Sequence, residues 1–426
     1  MKPFQFYFFF LLLSSVILNA DPLRISVSAE TQDFYLTPKN SSALFGKYEF
    51  KTFGRFDFQK DFSLRTNAAV NYVQMTSQDN KRILLNPTDF GLLYSSTNLD
   101  LNLGYWTVVP EATDLNNIFD VIHGKDYRQP FASENLGSLG LVTTFHFLNL
   151  DFRMFYIPKN TKSILPDTQS PWWPRTDALP LSNSSGTFLL PDNISYIYKS
   201  DTELNHPFDN NFGGTGKLNF KYVDFYGFYF SGANQVPQVA PHFNIDIISL
   251  NPLIGVVRPP VELDLTWYKS EHLGFGFSTI IDPVILKSFC KKQRDFLLEV
   301  AESEACTFNL ESTLNVFKYS VRYFLQANRV WKKKSSASEL ETLLGFFEKS
   351  NSLGFLLDVN PENSLSGAFV YNEKSPSTLV SVRYEHRWSA RLKNYFYINV
   401  ITAQDEPLAK AYDQADNAGL KLTYDF

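Results

Sequence analysis

A two-residue alternation of apolar and charged side chains runs through this chain from end to end, and it constrains the fold more than any other feature. Successive residues of a β-strand point to opposite faces, so the pattern is that of strands with one oily and one wet face. Tyr48, Phe50, Phe56 and Phe58 alternate with Lys47, Glu49, Lys51, Arg55 and Asp57. Phe62, Leu64, Ala68, Val70 and Tyr72 are set against Ser63, Arg65, Asn67 and Asn71. The same rhythm returns in "LDLNLGYW" (99–106), "LDFRMFY" (150–156), "KLNFKY" (217–222), "VELDLTWY" (261–268), "FKYSVRYFLQAN" (317–328) and "VSVRYEHRW" (380–388).

A soluble sandwich alternates as well, so three further features decide the class. Many of these runs are near ten residues, the length of a tilted bilayer crossing, about 9–11 residues. Tyr, Trp and Phe crowd the strand ends, as in the aromatic girdles of membrane barrels; aromatics make up 16% of the chain. Connections alternate between short and long. Short turns are expected at 59–61, 95–98, 147–149, 222–224 and 269–271, and long loops at 109–136, 158–210, 232–257 and 282–312. The expected fold is an all-β, transmembrane, antiparallel up-and-down barrel of about 18 strands, or 16 if the region 305–350 carries two fewer. An open sheet edge in lipid leaves unpaired backbone groups that each cost several kcal/mol, so the last strand must pair with the first.

Both termini agree with an exported barrel. "MKPFQFYFFFLLLSSVILNADP" has a basic start, a short apolar run and Ala20 before Asp21, the layout of a signal peptide over 1–20. The remaining 21–426 is expected to form one barrel domain, with no linker-like composition shift. A net charge of −5 argues against a nucleic-acid partner. The histidines show no metal-binding spacing, and the Asp/Asn/Gly stretches at 208–214 and 413–419 match plain turns as well as calcium loops.

The closing stretch "GLKLTYDF" puts Leu420, Leu422, Tyr424 and Phe426 on one face and ends on an aromatic. In this the chain resembles bacterial outer-membrane β-barrels of the porin-like kind, whose terminal aromatic strand is read by the barrel-assembly machinery. That resemblance assigns the insertion signal to Tyr424 and Phe426. The class often has glycine five residues before the end; here Lys421 stands there and the glycine is Gly419. A narrower similarity, to alginate-export-type and related barrels, rests on "GYWTVVPEATDLNNIFDVIHGKDYRQPF" (104–131) and on "YIPKN" followed by "PWWPR". The resemblance implies residence in the outer membrane of a Gram-negative-type bacterium, in contact with its lipid.

The polar strand faces would line a lumen. The expected lining cations are Arg55, Arg65, Arg153, Lys217, Lys221, Arg322, Arg383 and Arg387. The carboxylates are Asp57, Glu262, Asp264 and Glu385, with Glu49, Asp100 and Asp151. Opposite charges on opposing walls would orient dipolar solutes; the same residues would also serve as salt bridges that hold the wall together. "DPVILKSFCKKQRDFLLEVAESEAC" (282–306) breaks the rhythm and reads as a helix in an outer loop, with Asp282 as cap and Pro283 at the first position. Cys290 and Cys306 are expected to pair in an oxidising compartment. On a continuous helix they would stand about 24 Å apart, and a disulfide needs Cα atoms within about 7 Å. Either the helix ends near Val300 and the chain folds back, or the thiols are unpaired.

The functional expectation is a porin-like channel for passive diffusion of small polar or charged solutes, narrowed by inward-folded loops and needing no cofactor. The alternative is a surface barrel with a closed lumen whose loops bind a partner or adhere. A barrel enzyme is a third reading, but no nucleophilic triad assembles, and His386 falls on the lipid-facing parity.

Overall fold

The computed structural model describes residues 23–34, 44–74, 83–111, 113, 117–129, 132–166, 170, 187–189, 195–251, 253–297, 300–316, 319–334, 349–373, 377–403 and 415–426. The expected signal peptide (1–20) and "PWWPR" (171–175) lie outside these residues.

In chain order, β1 (Arg24–Phe34) is followed by β2 (Leu44–Phe53), which β3 (Arg55–Gln59) continues after a break at Gly54. Next come β4 (Phe62–Gln74), β5 (Ile83–Ser95) and β6 (Leu99–Trp106). A small ribbon of β7 (Lys125–Asp126) and β8 (Glu134–Asn135) precedes β9 (Ser138–Phe147) and β10 (Leu150–Lys159). Two strands, β11 (Thr187–Leu189) and β12 (Tyr196–Glu203), then lead to β13 (Asp209–Asn219) and β14 (Val223–Ala233). A long hairpin of β15 (Gln238–Leu250) and β16 (Leu253–Trp267) precedes β17 (Lys269–Ile281), β18 (Val284–Phe296) and β19 (Val300–Val316). The chain closes with β20 (Tyr319–Lys334), β21 (Ser350–Asn360), β22 (Asn363–Asn372), β23 (Ser377–Arg387), β24 (Leu392–Ala403) and β25 (Asn417–Asp425).

The strands of the main sheet pair antiparallel in sequence order, and β25 pairs with β1 from Ser26↔Asp425 to Phe34↔Asn417. The sheet is closed. With β2 and β3 counted as one interrupted stave, the 19 strands of that sheet make an 18-stave barrel. Closure satisfies the backbone at both ends of the sheet, and the Phe426 N–H donates to the Ile25 carbonyl at 2.8 Å.

Alternation sorts the side chains as the membrane requires. Outward on β17 stand Leu273, Phe275 and Phe277, exposed on the barrel's exterior, while His272, Gly274 and Gly276 on the other parity are buried. On β25, Leu420, Leu422 and Tyr424 face out. Near one end of the barrel the outer face carries ring pairs: His386 edge-on to Trp388 at 4.5 Å, and Tyr424 to Phe426 at 4.7 Å. Gly419 has its own reason. A Cβ there would sit 2.1 Å from the Tyr397 ring, which lies across it from β24.

Two expectations are corrected. Residues 284–296 and 300–306 are strand, not helix: β18 and β19 pair with each other and with their outer neighbours along their length. Their rhythm is hard to read because Phe289 faces inward beneath a loop, whereas Cys290, Lys292 and Arg294 face outward. The cysteines sit directly opposite each other, 4.1 Å between Cα atoms, and are joined as a disulfide. Second, "VELDLTWY" is not a barrel stave. It belongs to β16, in a separate four-stranded sheet where β15 pairs antiparallel and β11 and β12 pair parallel. The expected turn at 269–271 is accordingly the start of β17. The expected total of about 18 agrees with the barrel, but its membership differs.

Candidate functional site

The connection from β6 to β9 folds into the barrel. Phe119 and Ile122 are fully buried against inward-facing Trp106, Val142, Phe155, Ile157, Phe228, Phe230 and Phe289 from β6, β9, β10, β14 and β18. Phe119 stacks on Phe228 at 5.0 Å and meets Phe289 edge-on at 5.5 Å. Gly274 on β17 makes this possible, since a Cβ there would lie 2.4 Å from the Phe119 ring. The barrel thus has an apolar core inside its lumen, built between one loop and part of the wall.

Buried polar groups fix that loop. The Val108 N–H donates to His123 Nε2 at 2.7 Å, which leaves the ring proton on Nδ1, 3.3 Å from Ser138 Oγ. Ser138 Oγ donates to Asn160 Oδ1 at 2.8 Å, and Asn160 Nδ2 donates to the Ile122 carbonyl at 2.8 Å and to Asn211 Oδ1 at 3.0 Å. Burial pushes the His123 imidazole down to about 4, against the pull of Asp120. Arg128 holds Asp126 through two hydrogen bonds within the loop, at 2.8 and 2.6 Å. Gln235, from the connection after β14, donates to the Asp120 and His123 carbonyls. On the far side Lys47 of β2 pairs with Glu134 at 3.0 Å. Burial pushes the Glu134 carboxyl up, and the Lys47 ammonium more than offsets this, so the group ends below its ordinary value.

The expected lining residues fall into three groups. Arg55, Asp57, Arg65, Arg153, Lys217, Arg322, Arg383, Glu385 and Arg387 lie on the barrel's inner parity, opposite the exposed apolar residues of the same strands. Glu262 and Asp264 do not line the barrel; they lie on β16 of the outer sheet. There Glu262 pairs with Lys199, and Asp264 accepts from Ser200 Oγ at 2.5 Å and pairs with His242 at 2.5 Å. The Ser200 hydrogen bond and the His242 charge hold the Asp264 carboxyl below its ordinary value. Lys221 lies in the β13–β14 turn, over the Tyr222 ring at 4.9 Å.

The signs are not separated onto opposing walls. Carboxylates stand beside the cations: Arg55 with Asp57 at 2.9 Å, Arg65 with Asp89 at 3.2 Å, Lys217 with Glu111 at 3.0 Å and Asp224 at 3.7 Å, and Arg322 within 3.9 Å of Glu311. His146 bridges Asp151 at 2.7 Å and Asp100 at 3.2 Å. Arg383 differs, lying 4.1 Å over the Tyr395 ring. Among the described residues no three of His, Cys, Asp and Glu converge as a metal site.

Sequence reading missed Phe119, Asn160 and Asn211. Asn211 is fully buried and joins Pro207, Ala233 and Asn160, although its stretch "FDNNFGG" reads as a plain turn. No sequence signal separates Phe119 and Ile122 from the other apolar residues of their loop, among them Val108, Val109, Ile118 and Val121.

No family model matches the chain, and no curated protein matches it by sequence. Solved structures do match. A BenF-like porin from Pseudomonas fluorescens Pf-5 aligns over 96% of this chain and 99% of its own, with a TM-score of 0.52 at 10% identity. OccK3 (OpdO) from Pseudomonas aeruginosa aligns over 98% of both chains, with a TM-score of 0.51 at 9% identity. OccK2 (OpdF) from the same organism, solved in complex with glucuronate, aligns over 95% of both, with a TM-score of 0.51 at 11% identity. The chain has the fold of these bacterial outer-membrane barrels.

Proposed function

We propose that this chain is a passive outer-membrane channel for small polar or charged solutes, gated in width by the loop folded between β6 and β9. One observation carries this reading: the inner loop packs its apolar side against the wall from β6 to β18, and charged side chains of β20 and β23 stay solvent-exposed within the closed barrel. Arg322 and Arg383 are among them. A barrel of this strand number leaves an aqueous channel unless something fills it. The likeness in fold to proteins described as porins supports the reading, and one such neighbour was crystallised with a sugar acid.

The test is conductance of the refolded chain in a planar bilayer under a salt gradient. Discrete steps with a stable reversal potential are expected, and the interleaved charges predict only weak ion selectivity. An inserted but silent barrel would overturn the reading. It would then favour a surface role for the outer sheet, whose β15 exposes Ile247, Ile248 and Leu250.

A further inference from the structure

A cavity of about 370 Å³ lies inside the barrel between the incoming limb of the inner loop and the wall. The loop contributes Val109, Pro110, Glu111 and Asn117, and the wall contributes Tyr226 and Lys287, with the edge of Phe289. Register places the wall residues in one patch: Lys217 is opposite Tyr226, Tyr226 is opposite Gly276, Gly276 is opposite Phe289, and Lys287 is one inward step further along β18.

The charges in and around this cavity balance. Lys217 touches Glu111 and Asp224, Lys287 pairs with Glu311 at 3.1 Å, and Arg322 approaches the same Glu311. Three cations face three carboxylates. Such a site has no net attraction for a simple anion or cation. A monovalent ion that engages one of these groups leaves the patch with an unbalanced charge, and that imbalance opposes binding. A solute whose ammonium takes Glu111 and whose carboxylate takes Lys287 leaves Lys217 with Asp224 and Glu311 with Arg322, so the patch stays balanced. Glu111 is well exposed, so its pair with Lys217 is weak and opens readily. Beside these charges, Val109, Pro110 and the Tyr226 and Phe289 rings offer an apolar surface.

We propose that this cavity is a binding subsite for a dipolar solute, one bearing an ammonium and a carboxylate together with an apolar flank. The carboxylate meets Lys287, the ammonium meets Glu111, and the flank lies on the aromatic side. This deepens the channel reading and rests on it only for the route of entry.

The probes are L-phenylalanine, 3-phenylpropanoate and 2-phenylethylammonium, which share the flank and differ in charge. Binding to the detergent-purified barrel is read by calorimetry, and blockade is read in single channels. Phenylalanine is expected to bind at least tenfold more tightly than either single-charge probe. Glu111→Gln should lower that preference toward the anion, and Lys287→Met should lower it toward the cation. Trp388→Phe, on the outer face, should change nothing. Because Glu111 is an exposed loop residue, Glu111→Gln tests the site without risk to the fold. Equal or tighter binding of 3-phenylpropanoate, no binding of any probe, or a preference unmoved by both substitutions would overturn the proposal. Open channels without preferential binding would sink the subsite and leave the channel reading standing. A silent bilayer with the calorimetric preference intact would do the reverse.

Discussion

Two stretches of the inner wall obey the same strand geometry and do opposite things with it. From β6 to β18 the inward face presents Trp106, Val142, Phe155, Phe228, Phe230 and Phe289, and a loop lies down on them as it would on the core of a soluble protein. From β19 to β25 it presents Arg322, Ser366, Arg383 and Lys421, which keep solvent exposure, beside buried Asn309, Gln326 and Ser352. One sheet face can therefore carry a packed core over one stretch and charged, partly exposed side chains over another. Phe324, Tyr395 and Tyr397 also point inward there, so what marks the first stretch is the loop packed on its rings. The seam lies between β18 and β19, where the Cys290–Cys306 disulfide ties the two stretches together on the outer face.

The strongest way to break the comparison is to remove what the loop packs on. Phe119→Ala deletes a fully buried ring, a loss that costs about 3–5 kcal/mol in a well-packed core. Gly274→Val drives a side chain into the space of that ring. Either change should release the loop and raise single-channel conductance severalfold, while barrel assembly, read by heat-dependent gel mobility, persists. Unchanged conductance in both variants would mean the loop does not narrow the path.

Cutting the seam should matter less. Replacing Cys290 and Cys306 by serine removes a cross-link closing a loop of 16 residues, worth about 3 kcal/mol on the chain-entropy account. Both residues already sit in paired strands, so a lower melting temperature with unaltered conductance is expected.

Acid should loosen the docked loop. His123 is held below its ordinary value, so the folded state favours the neutral ring. A depressed histidine contributes stability fully above the ordinary range near 6.5, and that stability is lost as pH falls through about 4. Loop docking should therefore be constant from pH 8 to 7 and weaken from pH 6 toward 4. His123→Gln should flatten the part of the thermal-stability profile that comes from this group; an identical profile would remove His123 from the account. The smallest effect is expected on the second stretch, where Arg383→Ala should shift the reversal potential modestly toward cations.

How much of this could be read from sequence follows the same division. Where the inner face is wet, as at Arg322 or Arg383, period-two alternation is clean, and strand, parity and inward placement all follow from it. Where that face is covered, as on β18, alternation can blur, although β6 and β10 keep it. Phe289 between Lys287 and Lys291 looks like part of a helix because the aromatic needed by a loop more than a hundred residues away interrupts the polar stripe. "VELDLTWY" shows the opposite failure. Its alternation is perfect, yet it reports only that β16 has two unlike faces, not which sheet those faces belong to. The charge interleaving was hidden for a related reason. Sequence gives the sign of a residue on a strand, but cross-strand register decides which residue stands beside it, as with Lys217 and Asp224.

The most direct test of the central claim is thiol accessibility on the two stretches during conduction. Ser366→Cys on β22 and Val142→Cys on β9 both place a thiol on the inner parity, the first at a half-exposed position and the second beneath the loop. A charged, water-soluble thiol reagent should reduce current through the Ser366→Cys channel and leave the Val142→Cys channel unaffected. Reaction at Val142→Cys with none at Ser366→Cys would contradict the account, because the conduit would then run along the wall assigned here to the core.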